Sequence, residues 1–331
     1  MQKRRIANTQ IEVTELGFGG APLGALGSHI DESDAEMILT HALGSGINYF
    51  DTAPLYGHGL SEKRLGRILA NIDRGDFVLS TKVGRRLVDP SQGVRNPQMR
   101  DEENKAIRYD YSYDGARRSI EESLERLGLD RVDIVFCHDI GVSTHGENQP
   151  AVFQEACEGI LPALSHLRTE GVIGAFGLGV NDWQVCEDVL GLFDVDVFLL
   201  AGRFTLAEQT ALDTFLPKCE AREVSVVIGG PYNSGLLTVA ERRKATYDYK
   251  PVNDAQWALA KRLGSICTTH GVDLGTAALQ YPLRHKSVAS VIPGCWKMQE
   301  LKQNLQRVHT PTPDTLWKAL DEAGLATYLP V

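Results

Sequence analysis

Eight short apolar runs, each followed by an amphipathic helical stretch, constrain this chain more than any other feature. The runs are LGFG at Leu16 to Gly19, INYFD, FVLSTKV, VDIVFCH, GAFGLGV, VDVFLLA, SVVIGG and SVASVIPG. Strands that are apolar along their whole length are buried on both faces, and strand–helix alternation makes neighbouring strands parallel. Eight such pairs are the count for a closed (β/α)8 TIM barrel. An open doubly wound sheet has fewer strands and an early G-x-G-x-x-G turn, a spacing that GFGGAPLG lacks.

Before the first pair, RRIANTQIEVTEL reads as two extended segments joined at Asn8 and Thr9, an N-terminal β-hairpin. Ser33-Asp34-Ala35-Glu36 has the pattern of a helix-opening capping box, and Gly128 stops the helix that carries Ala116, Ile120, Leu124 and Leu127. No Pro-, Gly- or Ser-rich linker interrupts the pattern, so residues 1–331 are expected to form one domain. Three strand-to-helix connections are long: about Gly84 to Tyr113, Asp139 to Pro150 and Pro231 to Asp254. All three fall on the C-terminal face, where a barrel of this kind builds its active site.

The formal net charge is −9, which opposes association with nucleic acid or an acidic membrane and leaves a small molecule as the expected partner. Cys137, Cys157, Cys186, Cys219, Cys267 and Cys295 are widely spaced and form no C-x-x-C pair. Neither a signal peptide nor a membrane span is evident, so a reducing cytoplasm is the expected compartment.

Ionisable residues are unusual in buried strands unless they are paired. Yet Asp51 ends the second run, Lys82 lies in the third and His138 ends the fourth, with Tyr56 five residues beyond Asp51. Each alone has a plainer explanation, as a loop cap, a rim aromatic, a structural counterion or a core histidine. An acid, a phenol, an amine and an imidazole converging on one barrel mouth describe a proton-transfer site. In this reading Lys82 lowers the pKa of Tyr56, Asp51 holds Lys82 charged, and His138 directs a hydrogen bond to the substrate oxygen.

YFDTAPLYG, LSTKVG and FCHD resemble the catalytic segments of the aldo-keto reductase superfamily, and the resemblance runs from GFGGAPLG to Asn304. It implies a catalytic tetrad of Asp51, Tyr56, Lys82 and His138. Within the superfamily, VFLLAGRFTLAEQ and VIGGPYNSGLL are similar to the aldose dehydrogenase branch, of the L-fucose, D-threo-aldose and L-galactose types, and to pyridoxal 4-dehydrogenase. The resemblance implies oxidation of a pyranose at carbon 1 to a lactone with a nicotinamide cofactor.

It also implies cofactor contacts. Asn181 would hold the carboxamide, Phe204 would stack on the nicotinamide, and Ala201 stands where the family has a second amide. The loop Pro231, Ser234, Gly235, Leu237 would cover the pyrophosphate. Gly294, Lys297, Glu300 and Asn304 would meet the adenosine end, with a helix N-terminus near Lys297 favouring phosphate. Glu300 stands where NADP-binding relatives carry arginine, which implies NAD as the preferred cofactor, with NADP possible. The alternatives are a general aldehyde or ketone reductase, a non-enzymatic cofactor-binding regulatory subunit, and a metal-dependent barrel using His58, His138, Asp51 and Asp139.

Overall fold

A computed structural model describes residues 1–26, 28–95 and 104–330. Part of the first long connection, 96–103, lies outside them. Among the described residues eight parallel strands form one sheet: Phe18–Gly19, Tyr49–Asp51, Val78–Val83, Ile134–His138, Ala175–Val180, Val197–Ala201, Ser225–Gly229 and Val288–Ile292. Parallel bridges from Leu16 to Val291 and from Gly19 to Gly294 join the first strand to the last and close the barrel. The eight apolar runs are these eight strands.

Side chains alternate across the barrel wall, as the period of two in a strand requires. Tyr49, Ile134, Phe136, Val197 and Leu199 pack in the interior, while Phe50, Val135, Cys137, Phe198 and Leu200 pack against the surrounding helices. The same alternation turns Ser80 and Lys82 inward and leaves Thr81 to hydrogen-bond Glu62 on the helix Leu60–Leu69.

The expected hairpin forms from Lys3–Arg5 and Glu12–Thr14. It lies across the N-terminal end of the barrel, where the Ala7 amide donates to Ser225 Oγ, Arg4 to the Val288 carbonyl, and the Asn48 side chain to the Glu12 carbonyl. Ile6 and Val13 join the interior cluster as its floor. The opposite end is left open for the long connections.

Local expectations met mixed outcomes. Gly128 ends the helix Tyr113–Leu127 with φ +63°. The Ser33 box does not form: the helix is Glu32–Gly44, capped at Asp31, and Glu32 is drawn to Arg64 at 2.6 Å. Ser33 therefore sits inside the first turn. A reciprocal capping box occurs instead at Asn253 and Gln256. Two of the long connections carry antiparallel pairs that periodicity did not show, Arg85–Val88 with Ala106–Tyr109 and Thr246–Tyr247 with Lys250–Pro251.

The floor gives a stability test that leaves the mouth untouched. Ile6 is fully buried, so Ile6→Ala is expected to cost about 2–4 kcal/mol in chemical denaturation. The variant's Michaelis constants should stay unchanged, as measured by steady-state kinetics.

Candidate active site

The innermost feature of the mouth is a buried ion pair. Lys82 Nζ lies 2.7 Å from Asp51 Oδ2, with the two side chains 2% and 3% exposed. Lys82 also donates to the Thr52 carbonyl at 2.9 Å, and Ser80 Oγ donates to Asp51 Oδ1 at 2.7 Å. Tyr49 completes the row with its hydroxyl 3.0 Å from Ser80 Oγ. The lysine stem has room because the next strand but one carries Gly179. A Cβ there would lie 3.3 Å from Lys82 Cε and 3.2 Å from Phe136 Cβ.

Tyr56 is placed by the segment GFGGAPLG. Its turn Ala21–Gly24 packs so closely on Tyr56 that a Cβ on Gly24 would come within 2.2 Å of the Tyr56 carbonyl carbon. Ser61 ties the same region together, bonding Thr52 Oγ1 and the Gly20 carbonyl. The Tyr56 ring meets the His138 ring edge-on at 6.3 Å between centroids, and Lys82 Nζ lies over its face at 4.7 Å.

This geometry corrects one expectation. Lys82 spends its hydrogen bonds on Asp51 and Thr52 and addresses the face of the Tyr56 ring. Burial, with Asp51, Asp139 and Tyr249 nearby, holds the Tyr56 hydroxyl well above its ordinary value near 10, against the opposing pull of Arg85. In this arrangement Tyr56 is a neutral phenol. His138 is neutral as well, because burial and the Arg85 and Lys82 charges hold it well below 6.5.

Four groups gather around His138, of which only Asp139 was singled out in the sequence, and there as a metal ligand of the alternative reading. Asp139 Oδ2 lies 3.3 Å from His138 Nε2 and 2.5 Å from Arg85 Nη2. Tyr111 donates to the His138 carbonyl at 2.9 Å and lies 3.0 Å from His145 Nε2. The signal for Arg85 was its position just beyond Lys82, in a chain that leaves the barrel there.

The sites assigned to the cofactor separate into two groups. Asn181 is half-buried and donates to the Ala201 carbonyl at 3.0 Å, while Ser234 and Gly235 are half-buried in the turn Asn233–Gly235. Lys297 is exposed at the N-cap of the helix Met298–His309, and the half-buried Gly294 precedes it. Phe204, Leu237 and Asn304 behave otherwise. Phe204 is fully buried against the rings of Tyr281 and His285, a core aromatic with no face for a nicotinamide. Leu237 is fully buried, and Pro231 is buried too. Asn304 is spent internally, accepting from the Tyr232 hydroxyl at 2.5 Å and donating to Cys295 Sγ at 3.3 Å. Glu300 Oε2 accepts from the Trp296 amide at 2.8 Å, bracing the helix start.

The backbone just beyond the sixth and seventh strands carries glycines with open space above them. A Cβ on Gly202 or Gly230 would meet no atom closer than 3.9 and 3.7 Å respectively, and one on Gly235 would meet nothing within 4 Å. Among the described residues no group of three or more His, Cys, Asp and Glu side chains gathers in metal-binding geometry, so His58, His138, Asp51 and Asp139 do not form one. Among them, too, no helix is long and apolar enough to cross a membrane.

Comparison with known proteins covers nearly the whole chain. The profile of the aldo/keto reductase family matches residues 15–324. Pyridoxal 4-dehydrogenase of Microbacterium luteolum is 37% identical over 98% of both chains, and D-threo-aldose 1-dehydrogenase of a Pseudomonas species is 37% identical over 95% of both. Among solved structures, the holo form of the aldo-keto reductase AKR11C1 from Bacillus halodurans superposes with a TM-score of 0.76 at 26% identity, covering 100% of this chain and 98% of that one.

The lowered His138 couples stability to pH. Below about pH 6.5 the unfolded chain takes up a proton at this position that the folded chain refuses, so stability falls as pH drops. His145 and His285 shift in the same direction. His138→Asn is therefore expected to flatten, without abolishing, the loss of thermal stability between about pH 7 and pH 5.5. A slope identical to that of the parent protein would show that His138 is not held neutral.

Proposed function

This chain belongs to the aldo/keto reductase family of nicotinamide-dependent oxidoreductases, and on that premise we propose that it oxidises an aldose at carbon 1 to the lactone. The observation that carries the reading is the buried Lys82–Asp51 pair under a mouth shared by Tyr56 and His138 and rimmed by Arg85 and Asp139. A polar, charge-balanced rim suits a hydroxylated substrate. The relatives named for D-threo-aldose and pyridoxal are equally distant, and the rim favours the sugar.

In this reading His138, neutral, donates a hydrogen bond to the oxygen on the reacting carbon and sets its orientation. Tyr56 exchanges the proton of that oxygen. An oxidised nicotinamide, when held there, would supply the hydride acceptor for carbon 1, and with the proton passing to Tyr56 the hemiacetal C–H and O–H would become the lactone carbonyl. Asn181, Ser234, Gly235 and the helix start at Lys297 would hold the cofactor on the shelf left by Gly202 and Gly230. Lys82 and Asp51 fix the field beneath the phenol.

Because the phenol is held above its ordinary value, its phenolate fraction rises with pH over the whole neutral and mildly alkaline range. Aldose oxidation is therefore expected to accelerate from pH 7 to 10, while carbonyl reduction, which needs the phenol, does not. Tyr56→Phe should lower turnover about a hundredfold or more with cofactor affinity preserved. A panel of aldoses and pyridoxal, followed by absorbance of the reduced nicotinamide, tests both statements. Oxidation of pyridoxal and of no sugar would replace the aldose reading, and wild-type turnover in the phenylalanine variant would remove Tyr56 from the chemistry.

We also propose NAD as the preferred cofactor. Glu300 keeps a carboxylate in the first turn of the helix Met298–His309, where it repels a 2′-phosphate and accepts hydrogen bonds from free ribose hydroxyls. Catalytic efficiency is expected to favour NAD by about tenfold or more, and Glu300→Arg to move the ratio toward NADP. A wild type that favours NADP, or a ratio indifferent to the arginine, overturns this assignment.

A further inference from the structure

Asp139 directly follows His138, and the chemistry proposed above gives it no step. Its backbone is left-handed, with φ +49°. That conformation is uncommon outside glycine, though aspartate tolerates it better than most residues. It persists only where surrounding contacts enforce it. Here the enforced outcome is a carboxylate set between His138 Nε2, at 3.3 Å, and Arg85 Nη2, at 2.5 Å.

Both contacts use the same oxygen, Oδ2. Among the described residues no donor reaches Oδ1, and the Asp139 side chain is 13% exposed, so the second oxygen is not committed inside the protein. Arg85 is 8% exposed, its guanidinium also reaches Thr144 Oγ1 at 3.4 Å and lies over the Tyr109 ring at 5.5 Å, and among the described residues its buried Nε has no hydrogen-bond partner. Arginine is costly to bury, and an incompletely satisfied guanidinium is costlier still. An arrangement optimised only for stability would not keep it. What Arg85 achieves there is to fix the direction of the Asp139 carboxylate.

The ligand chemistry follows from the open atom. A carboxylate oxygen accepts hydrogen bonds, and the donor a sugar offers is a hydroxyl. The place of that hydroxyl follows from the neighbours. Asp139 lies beside His138 Nε2, and taking that nitrogen as the donor to the reacting oxygen places the partner of Asp139 on the carbon next to the reacting one. We propose that Asp139, oriented by Arg85, is a specificity-determining residue that accepts a hydrogen bond from the hydroxyl on the carbon adjacent to the reacting carbon. This rests on His138 facing the substrate oxygen.

The test compares two small aldehydes that differ by that hydroxyl, lactaldehyde and propionaldehyde, reduced by the holoenzyme. A hydrogen bond to a charged acceptor should give the wild type a preference of about tenfold or more in kcat/KM for lactaldehyde. Asp139→Asn and, separately, Arg85→Gln should bring the ratio close to one. Any loss common to both aldehydes cancels in the ratio and reports on His138 instead. A wild type without the preference overturns the assignment whether or not the variants fold, and so does either variant that keeps the full ratio. Aldose oxidation plays no part in this comparison. A wild type that prefers lactaldehyde but oxidises no sugar overturns the aldose reading and leaves Asp139 in place.

Discussion

The Lys82–Asp51 ion pair is the constraint around which the upper half of the barrel is arranged. Removing two charges from water costs several kcal/mol per ion before any attraction is counted. The structure offsets that cost with a second acceptor for Lys82, the Thr52 carbonyl, and a second donor for Asp51, Ser80. Ser80 is in turn fixed by Tyr49. Burial alone would leave Asp51 reluctant to ionise, and Lys82 and Ser80 are what oppose that tendency. The pair also dictates sequence far from itself, since a side chain at Gly179 would crowd the lysine stem.

Charge around the mouth is balanced in two buried pairs, Lys82 with Asp51 and Arg85 with Asp139. Groups between the pairs feel nearby charges but sit in no net field that would ionise them. His138 stays neutral chiefly because it is buried, with the Arg85 and Lys82 cations adding to the effect, and Tyr56 stays protonated chiefly because it is buried, with the Asp51 and Asp139 carboxylates adding to it. A mouth built this way supplies uncharged hydrogen-bond donors at neutral pH. Such donors suit an oxygen that gains negative charge as it is reduced, because they stabilise it without a permanent counterion.

The fold was legible because each barrel strand is buried on both faces and reads as an unbroken apolar run. Asp51, Lys82 and His138 were legible for the complementary reason, since charge inside such a run demands an explanation. What escaped depended on geometry that residue type does not carry. Asp139 faces the mouth by virtue of a left-handed backbone, and Arg85 and Tyr109 face each other across an antiparallel pair too short and polar to show periodicity. Ser33 had the right spacing for a cap, but Arg64, 31 residues further along, drew Glu32 into a competing ion pair. Phe204 and Asn304 were assigned by alignment of segments, and packing placed one in the core and the other in a closed hydrogen-bond pair.

The two sides of the mouth differ in what their strands contribute, and the difference has a physical basis. Strands two to four carry Asp51, Lys82 and His138 at or next to their C-terminal ends, with Arg85 and Asp139 close by, so that ionisable side chains are brought to one point. Strands six and seven end in Ala201-Gly202 and Gly229-Gly230, whose backbones leave an open shelf. A broad planar ligand needs surface without side chains, and a phosphate needs backbone N–H groups such as those opening the helix Met298–His309. The reacting carbon would then lie where shelf and charged rim meet, above the phenol of Tyr56. Substitutions on the charged side should alter which carbonyl reacts, and substitutions on the shelf which cofactor binds. The barrel allows these to change independently, because each side belongs to different strands and is fixed by different hydrogen bonds.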